Sequence, residues 1–509
     1  MNVRVAMTPV LRAPARHPRH RLKALLAALV ATACLMVAAG VPTSEAQAAT
    51  AAATPVTNPL NSSGPDPYMT YYQGYYYLMT TPWNGPLTMR KAPTVAALAQ
   101  AAPVPVFSDF PADRCCQVWA PELHLLDGPN GPRWYLYYSA GKGDIESQRV
   151  HVAESAGTDP TGPYTYKGMV FGANDWWGID GSVVSLGGRN YLLWSGFATP
   201  RWAGSDPSIY IAELGNPWTV TGPRAAISRP TLSWETQGAP MNEGPVALQH
   251  DGTTRVVYSA SACQGPDYKL GMLTHTGGDV LSPDSWTKSP QPVFRRSDAN
   301  GVYGPGHNGF FTSPDGTESW IVYHANTSAS QGCGGTRTTR VQKFSWRADG
   351  TPDFGTPVAV GTPLDPPSGE PAVSYDRITN RRSGKVIDIQ MPNTHDGAVV
   401  GQYASNGTAW QKWRFVDVGG GYSRVESLHS GKCLDVRDRS TADGAPVVQW
   451  QCHGGTNQQF RREPYGDHFR LVARHSGKCL AVAGASTADA APLEQRTCSA
   501  DAAFQWQHG

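Results

Sequence analysis

Charge is scarce in this chain: 16% of its 509 residues are Asp, Glu, Lys or Arg, 42 of them basic and 40 acidic. With no basic excess there is no electrostatic footprint for a nucleic acid. A long apolar run is lacking too. The one candidate, Ala24 to Ala39, falls short of the ~20 residues that cross a bilayer, so no membrane partner is expected. No C-x-x-C pair occurs among the nine cysteines, which removes the usual zinc-thiolate and dithiol redox motifs. What is abundant is glycine (54), proline (42) and aromatic side chains (50). That composition favours short strands and tight turns, hence an all-β chain. Its length exceeds the ~250 to 300 residues one core serves, so at least two domains are expected.

Residues 1–48 carry arginines, then the apolar run, then Ala46-Gln47-Ala48, the three regions of a secretory signal peptide. Cleavage after Ala48 is expected. It leaves 36 Lys and Arg against 39 Asp and Glu, a net charge of −3. Cys34 goes with the signal, and the eight cysteines that stay form an even set in an exported chain, which favours disulfides.

Two repeats set the architecture. One strand recurs five times: Tyr75 to Thr80, Trp134 to Ser139, Asn190 to Ser195, Thr254 to Ser259 and Ser319 to His324, with ends 59, 56, 64 and 65 residues apart. Units of this length suit the four-stranded blades of a five-bladed β-propeller spanning 54–362. Before each strand stands a polar residue in a Gly/Pro-rich setting: Asp66, Glu122, Asp180, Glu243 and His307. In a propeller such positions converge on one axis. A linker is expected over 363–372. A second repeat of 46 to 47 residues follows over 373–509, opened by Ser383-Gly384-Lys385, Ser430-Gly431-Lys432 and Ser476-Gly477-Lys478. Gln402, Gln449 and Gln495 fall at matched depths, and Trp413, Phe460 and Trp506 close the units. Three such units make a β-trefoil. Cys433 with Cys452 and Cys479 with Cys498 recur at a spacing of 19, so a disulfide within each of the last two units is expected.

Carboxylates meeting on the axis suit glycosidic hydrolysis, in which one carboxyl protonates the leaving oxygen and another activates water. Crowding raises the pKa of at least one of them. Trp119, Trp83, Trp177, Phe197 and Trp234 lie near the axial motifs and offer faces for a sugar ring, Trp119 foremost. Arg340, on the last blade, is a candidate donor to a sugar hydroxyl.

The run Gly64-Pro65-Asp66-Pro67, Trp119-Ala120-Pro121-Glu122, Gly178-Ile179-Asp180-Gly181, Asn242-Glu243-Gly244-Pro245 and Gly304-Pro305-Gly306-His307-Asn308 resembles glycoside hydrolase family 43 over about residues 55 to 360. Within it the likeness is to secreted exo-acting α-L-arabinofuranosidases. The resemblance implies an inverting mechanism with Asp66 as general base, Glu243 as general acid and Asp180 orienting the acid and holding its pKa up. No cofactor is then required, and calcium or a water cluster beside His307 stays open as a structural site. Cys115-Cys116 departs from the pattern. Either these two join each other and Cys263 joins Cys333, or each reaches one distant partner; the vicinal bond is the favoured reading.

Residues 373–509 resemble the ricin B-type lectins, or family 13 carbohydrate-binding modules. The likeness implies a sugar site in the second unit from Asp435, Trp450, Asn457 and Gln458. In the first, Asp388, Tyr403 and Gln411 are present, with Trp410 where asparagine is usual. The third has Ala481, Ala503 and Phe504 and is expected to bind nothing. The reading is a secreted, extracellular, monomeric hydrolase that removes terminal α-L-arabinofuranose from arabinan or an arabinose-bearing plant polysaccharide, anchored by its trefoil. Its alternatives are a β-D-galactofuranosidase or β-xylosidase of the same family, or a catalytically inactive secreted lectin.

Overall fold

The computed structural model describes residues 54–203 and 206–509; the expected signal peptide lies outside them. Aromatic and β-branched runs form antiparallel sheets because their side chains pack on a pleated, two-sided surface. The first blade holds Tyr68–Tyr72, Tyr75–Met79, Leu87–Ala92 and Val104–Phe107. The second holds Cys116–Gly128, Gly131–Gly141, Arg149–Ser155 and Tyr164–Met169, with Trp83–Asn84 added beside its inner strand. The third runs from Gly178–Leu186 to Thr219–Ser228, the fourth from Asn242–His250 to Trp286–Lys288, and the fifth from Tyr303–Thr312 to Pro352–Asp353. The second strand of each blade is the repeated one. Buried on both faces, it packs between neighbouring blades, as Tyr135 and Tyr137 do against Leu192 and Trp194.

A propeller needs its last blade tied to its first. Here the amino-terminal segment does it. Asn58 brackets Val341 of the fifth blade, accepting from its N–H at 2.9 Å and donating to its carbonyl at 2.8 Å. Val56–Thr57 pairs with Pro363–Leu364, so the expected linker opens as part of this closure. Further on, the Glu370 carboxylate accepts from the N–H of Val95 at 2.8 Å, at the start of the short helix Val95–Leu98.

The carboxy-terminal repeats close a β-trefoil around Trp413, Phe460 and Trp506, all fully buried with Ile387, Leu434 and Leu480. The repeated serines and glutamines bond one another: Ser383 to Gln402 at 2.6 Å, Ser430 to Gln449 and Ser476 to Gln495 at 2.8 Å. Each glutamine amide then reaches another unit, Gln402 to the Ser486 carbonyl, Gln449 to that of Asn393 and Gln495 to that of Ser440. Three short motifs thereby become a ring. The trefoil seats on the first blade, where Leu428 joins the core around Leu98 and Trp320, and the Tyr75 hydroxyl donates to Glu426 at 2.6 Å.

Candidate active site

The axial residues owe their direction to local backbone breaks. The inner strands of the second to fifth blades lose register at their start, between Trp119 and Glu122, Ile179 and Ser182, Glu243 and Val246, and Gly306 and Gly309. Left-handed backbone accompanies these breaks at Ala120, Asp180, Gly244 and His307, and Asp66 has it before the first blade (φ 51° at Asp66, 57° at Asp180). Such bulges re-aim a side chain, and a non-glycine residue holds that conformation only where its surroundings over-determine it.

The surroundings here are a ring of bonds from blade to blade, made by the ends of the repeated strands. Thr81 Oγ1 accepts the N–H of Ala120 at 2.8 Å, Ser139 Oγ that of Asp180 at 2.9 Å, and Ser259 Oγ that of His307 at 2.7 Å. Ser195 Oγ donates to the Asn242 carbonyl at 2.8 Å. His324 Nδ1 accepts the N–H of Asp66 at 3.1 Å and completes the circle.

Asp66, Asp180 and Glu243 come together inside it, near enough that the charges of Glu243 and Asp66 both act on Asp180. Asp66 Oδ1 takes Arg337 Nη1 at 2.6 Å and its Oδ2 takes Thr81 Oγ1 at 2.7 Å. Burial alone would push this carboxyl up, but Arg337, His307 and His324 outweigh it and hold it well below the usual carboxylate range. Burial pushes Asp180 well above that range, helped by the charges of Glu243 and Asp66 and opposed by the Gly244 N–H at 3.0 Å. Burial and then the Asp66 charge raise Glu243 to about 7, against the Tyr268 hydroxyl that donates to it at 2.8 Å. One carboxyl is thus kept ionised and two are biased toward holding a proton. The repulsion between Asp180 and Glu243 is mutual, so the two carboxyls titrate as a pair that is biased toward holding a proton.

Arg337, His324, Thr81 and Tyr268 were not among the expected site residues. Arg337 stands in a Gly-rich loop that the Cys263–Cys333 disulfide ties down, and its Nε donates to the Gly334 carbonyl at 3.1 Å. Arg340, the expected donor to a sugar hydroxyl, is fully buried, its Nε bonded to Thr338 Oγ1 at 2.9 Å, on a strand paired opposite Tyr323. The aromatics divide. Trp119 joins Trp177, Ile179, Phe197 and Trp202 in one cluster beside Asp180, in which Phe197 is 1% exposed and supports Trp177 from beneath. Trp83 lies beside the Arg337 guanidinium at 5.7 Å. Trp234 turns away, its indole bonded to the Pro290 carbonyl at 3.1 Å and its ring against the fourth-blade core.

Cys115 is joined to Cys116, as the favoured reading has it. His307 faces Asp66 at 3.4 Å, but that carboxylate is already committed to Arg337. Among the described residues the one group of metal-ligating side chains at coordination spacing is Glu426, Cys433 and Cys452, two of them joined to each other. The side chains around His307 do not make the oxygen cage a hard cation prefers.

In the trefoil, the second unit gathers its expected residues. Asp435 Oδ2 accepts from Asn457 and Gln458, each at 2.9 Å, beneath an exposed Trp450. His453, not foreseen, lies 3.4 Å from the same oxygen. Asp388 accepts from Gln411 at 2.8 Å beside an exposed Tyr403, while Trp410 packs on the core. In the third unit Ala481, Ala503 and Phe504 fill a small core. The Cys433–Cys452 and Cys479–Cys498 bridges are both present.

A five-bladed propeller that gathers three buried carboxyls at its axis, with a lectin-type trefoil attached, is a glycoside hydrolase. The chain belongs to glycosyl hydrolases family 43, whose model matches residues 56–352, and the ricin-type β-trefoil lectin domain-like model matches 369–450, 409–496 and 456–508. It is 39% identical over 358 residues to an extracellular exo-α-(1→5)-L-arabinofuranosidase of Streptomyces avermitilis, covering 68% of this chain and 72% of that one. It is also 39% identical over 328 residues to α-L-arabinofuranosidase 43 of Humicola insolens, covering 62% and 67%. The crystal structure of an α-L-arabinofuranosidase from Lactobacillus brevis superposes with a TM-score of 0.56 at 33% identity, covering 60% of this chain and 98% of that one.

Proposed function

We propose that the protein is an extracellular exo-acting α-L-arabinofuranosidase that releases terminal arabinofuranose from arabinan or arabinose-decorated plant polysaccharide by single displacement. The observation that carries this reading is the gathering of three carboxyls at the axis, with Arg337 bonded to Asp66 and the Tyr268 hydroxyl to Glu243. Asp66, kept ionised by Arg337, takes a proton from water as it attacks the anomeric carbon. Glu243, raised to about 7, gives its proton to the departing glycosidic oxygen. Asp180 occupies the third position and lies against the backbone of the acid through the Gly244 N–H. Trp119 and Trp83 flank the site for the sugar ring, and the second trefoil unit holds the polymer through Asp435 and Trp450. No cofactor enters these steps. The chain is proposed to leave the cell after cleavage behind Ala48 and to act as a monomer.

The test is hydrolysis of nitrophenyl α-L-arabinofuranoside, β-D-galactofuranoside and β-D-xylopyranoside, with the first-formed anomer followed by NMR. Arabinofuranoside is expected to react fastest, and arabinose to emerge with inverted configuration. A faster xyloside or galactofuranoside would change the sugar, and retained configuration would overturn the single displacement. Retaining enzymes hold their two carboxyls about 5 to 5.5 Å apart, inverting ones about 6.5 to 9.5 Å.

A further inference from the structure

We infer that His324 is a positioning residue that couples the base to the acid, specialised at the one blade junction where the others use a hydroxyl. The inference rests on reading Asp66 and Glu243 as that pair. Thr81, Ser139, Ser195 and Ser259 each bond the next inner strand through a small side chain. His324 occupies the equivalent strand end in the fifth blade and accepts the N–H of Asp66 in the same way. A serine does that much elsewhere in the ring. What the imidazole adds is a flat face, and it lies almost parallel to the ring of Tyr268, centroids 5.6 Å apart and planes 9° off.

Tyr268 in turn donates its hydroxyl to Glu243 at 2.8 Å. Two stacked rings, each 1% exposed, therefore join the backbone of the base to the carboxyl of the acid. Room for this is made by Gly306, where a Cβ would fall 2.3 Å from the Tyr268 ring. Accepting at Nδ1 puts the imidazole proton on Nε2. The charged and titratable groups around it are Arg337, 3.5 Å from Nδ1, Asp66 at 3.2 Å and the ring of His307 at 6.0 Å. Burial first and then the Arg337 charge push His324 down to about 3, so the imidazole is neutral at any working pH.

The test separates the acceptor from the ring. His324→Ser keeps an acceptor and loses the stack; His324→Phe keeps a ring and loses the acceptor. On α-1,5-linked arabinotriose each is expected to lose at least ~10-fold in kcat with KM within about twofold, since small misplacements of reacting groups cost this much. Because His324 works through Tyr268, the double variant His324→Ser/Tyr268→Phe is expected to be no slower than the slower single variant. A serine variant with wild-type kcat, or a double variant whose loss is the product of the two single losses, would overturn the inference. If the serine variant does not fold, His324→Phe carries the test alone: the same kcat loss with KM within about twofold supports the inference and a wild-type kcat overturns it. A wild-type enzyme that leaves arabinotriose intact would instead remove the functional reading beneath it.

Discussion

Replacing Glu243 with glutamine tests the division of labour at the axis most sharply. Gln keeps the shape and an oxygen for the Tyr268 hydroxyl, and removes only the proton to be delivered. With a pKa of about 7, Glu243 is about nine-tenths protonated at pH 6, where an ordinary glutamate near 4.3 would be only ~2% protonated. The structure therefore increases the competent acid by roughly 50-fold at that pH. Two substrates read the loss. An arabino-oligosaccharide leaves as an alkoxide and needs the proton, so its kcat should fall by ~10² to 10⁴-fold in Glu243→Gln. A nitrophenyl arabinofuranoside leaves as a stable phenolate and should fall far less. The pH profile carries the second half of the test. A general acid must be protonated, so the wild-type kcat/KM should decline as pH rises through about 7, and that decline should vanish from the nitrophenyl rate of the variant. Equal losses on both substrates with the alkaline decline intact would take Glu243 out of the acid role.

Arg337→Met removes the guanidinium that holds Asp66 down. The base must be ionised to act, so its raised pKa should move the acid limb of kcat/KM toward neutrality, less so in Arg337→Lys, which lacks the planar fork; an unmoved limb would detach Arg337 from the base. In the trefoil, Asp435→Ala or Trp450→Ala should weaken retention on arabinan in affinity electrophoresis by ~10-fold or more, losses typical of buried hydrogen-bonded and stacking anchors, and Asp388→Ala by less, because Trp410 has left that site for the core. Equal retention across the three would mean the second unit is not the principal site. Glu370, raised to about 7 by burial, costs stability once ionised, and that cost is absent below its ordinary value. Glu370→Gln, which keeps the bond from Val95, should therefore raise the thermal midpoint at alkaline pH and not at acid pH; a gain that is the same at both would refute the assignment.

The blades, the trefoil and the axial carboxylates were legible in the chain because each rests on a repeat, and a repeat shows which residues share a depth. Arg337 was not, for a physical reason. It belongs to no repeated position, and it meets Asp66, 271 residues away, only because Asn58 and Asn61 clasp the fifth blade and the Cys263–Cys333 bridge pins the loop that carries it. Arg340, three residues on, looked the better candidate because it begins a strand-like run. On a strand buried on both faces, its side chain is covered by what packs on the sheet. Phe197 and Trp234 show the same limit: an aromatic near an axial motif can face the site or support the blade, and the sequence around it does not distinguish these.

The ring of strand-end bonds explains why fold and chemistry occupy the same residues. A left-handed Asp or His is strained on its own, and ~1 to 3 kcal/mol of such strain persists only where neighbours enforce it. Here the group that bonds each left-handed axial Asp or His backbone N–H comes from the blade before. Asp180 is held by Ser139, His307 by Ser259 and Asp66 by His324, so the backbone of each of these axial residues is fixed from the neighbouring blade. Asp66 acquires its direction, and with it the guanidinium that holds its pKa down, only when the fifth blade has met the first. It follows that loosening this last junction, by replacing Asn58 with alanine and so losing both bonds to Val341, should reduce turnover before it unfolds the enzyme. Activity as a function of denaturant should then fall ahead of the loss of β-sheet signal. Coincident transitions would show instead that the ring and the propeller form as one.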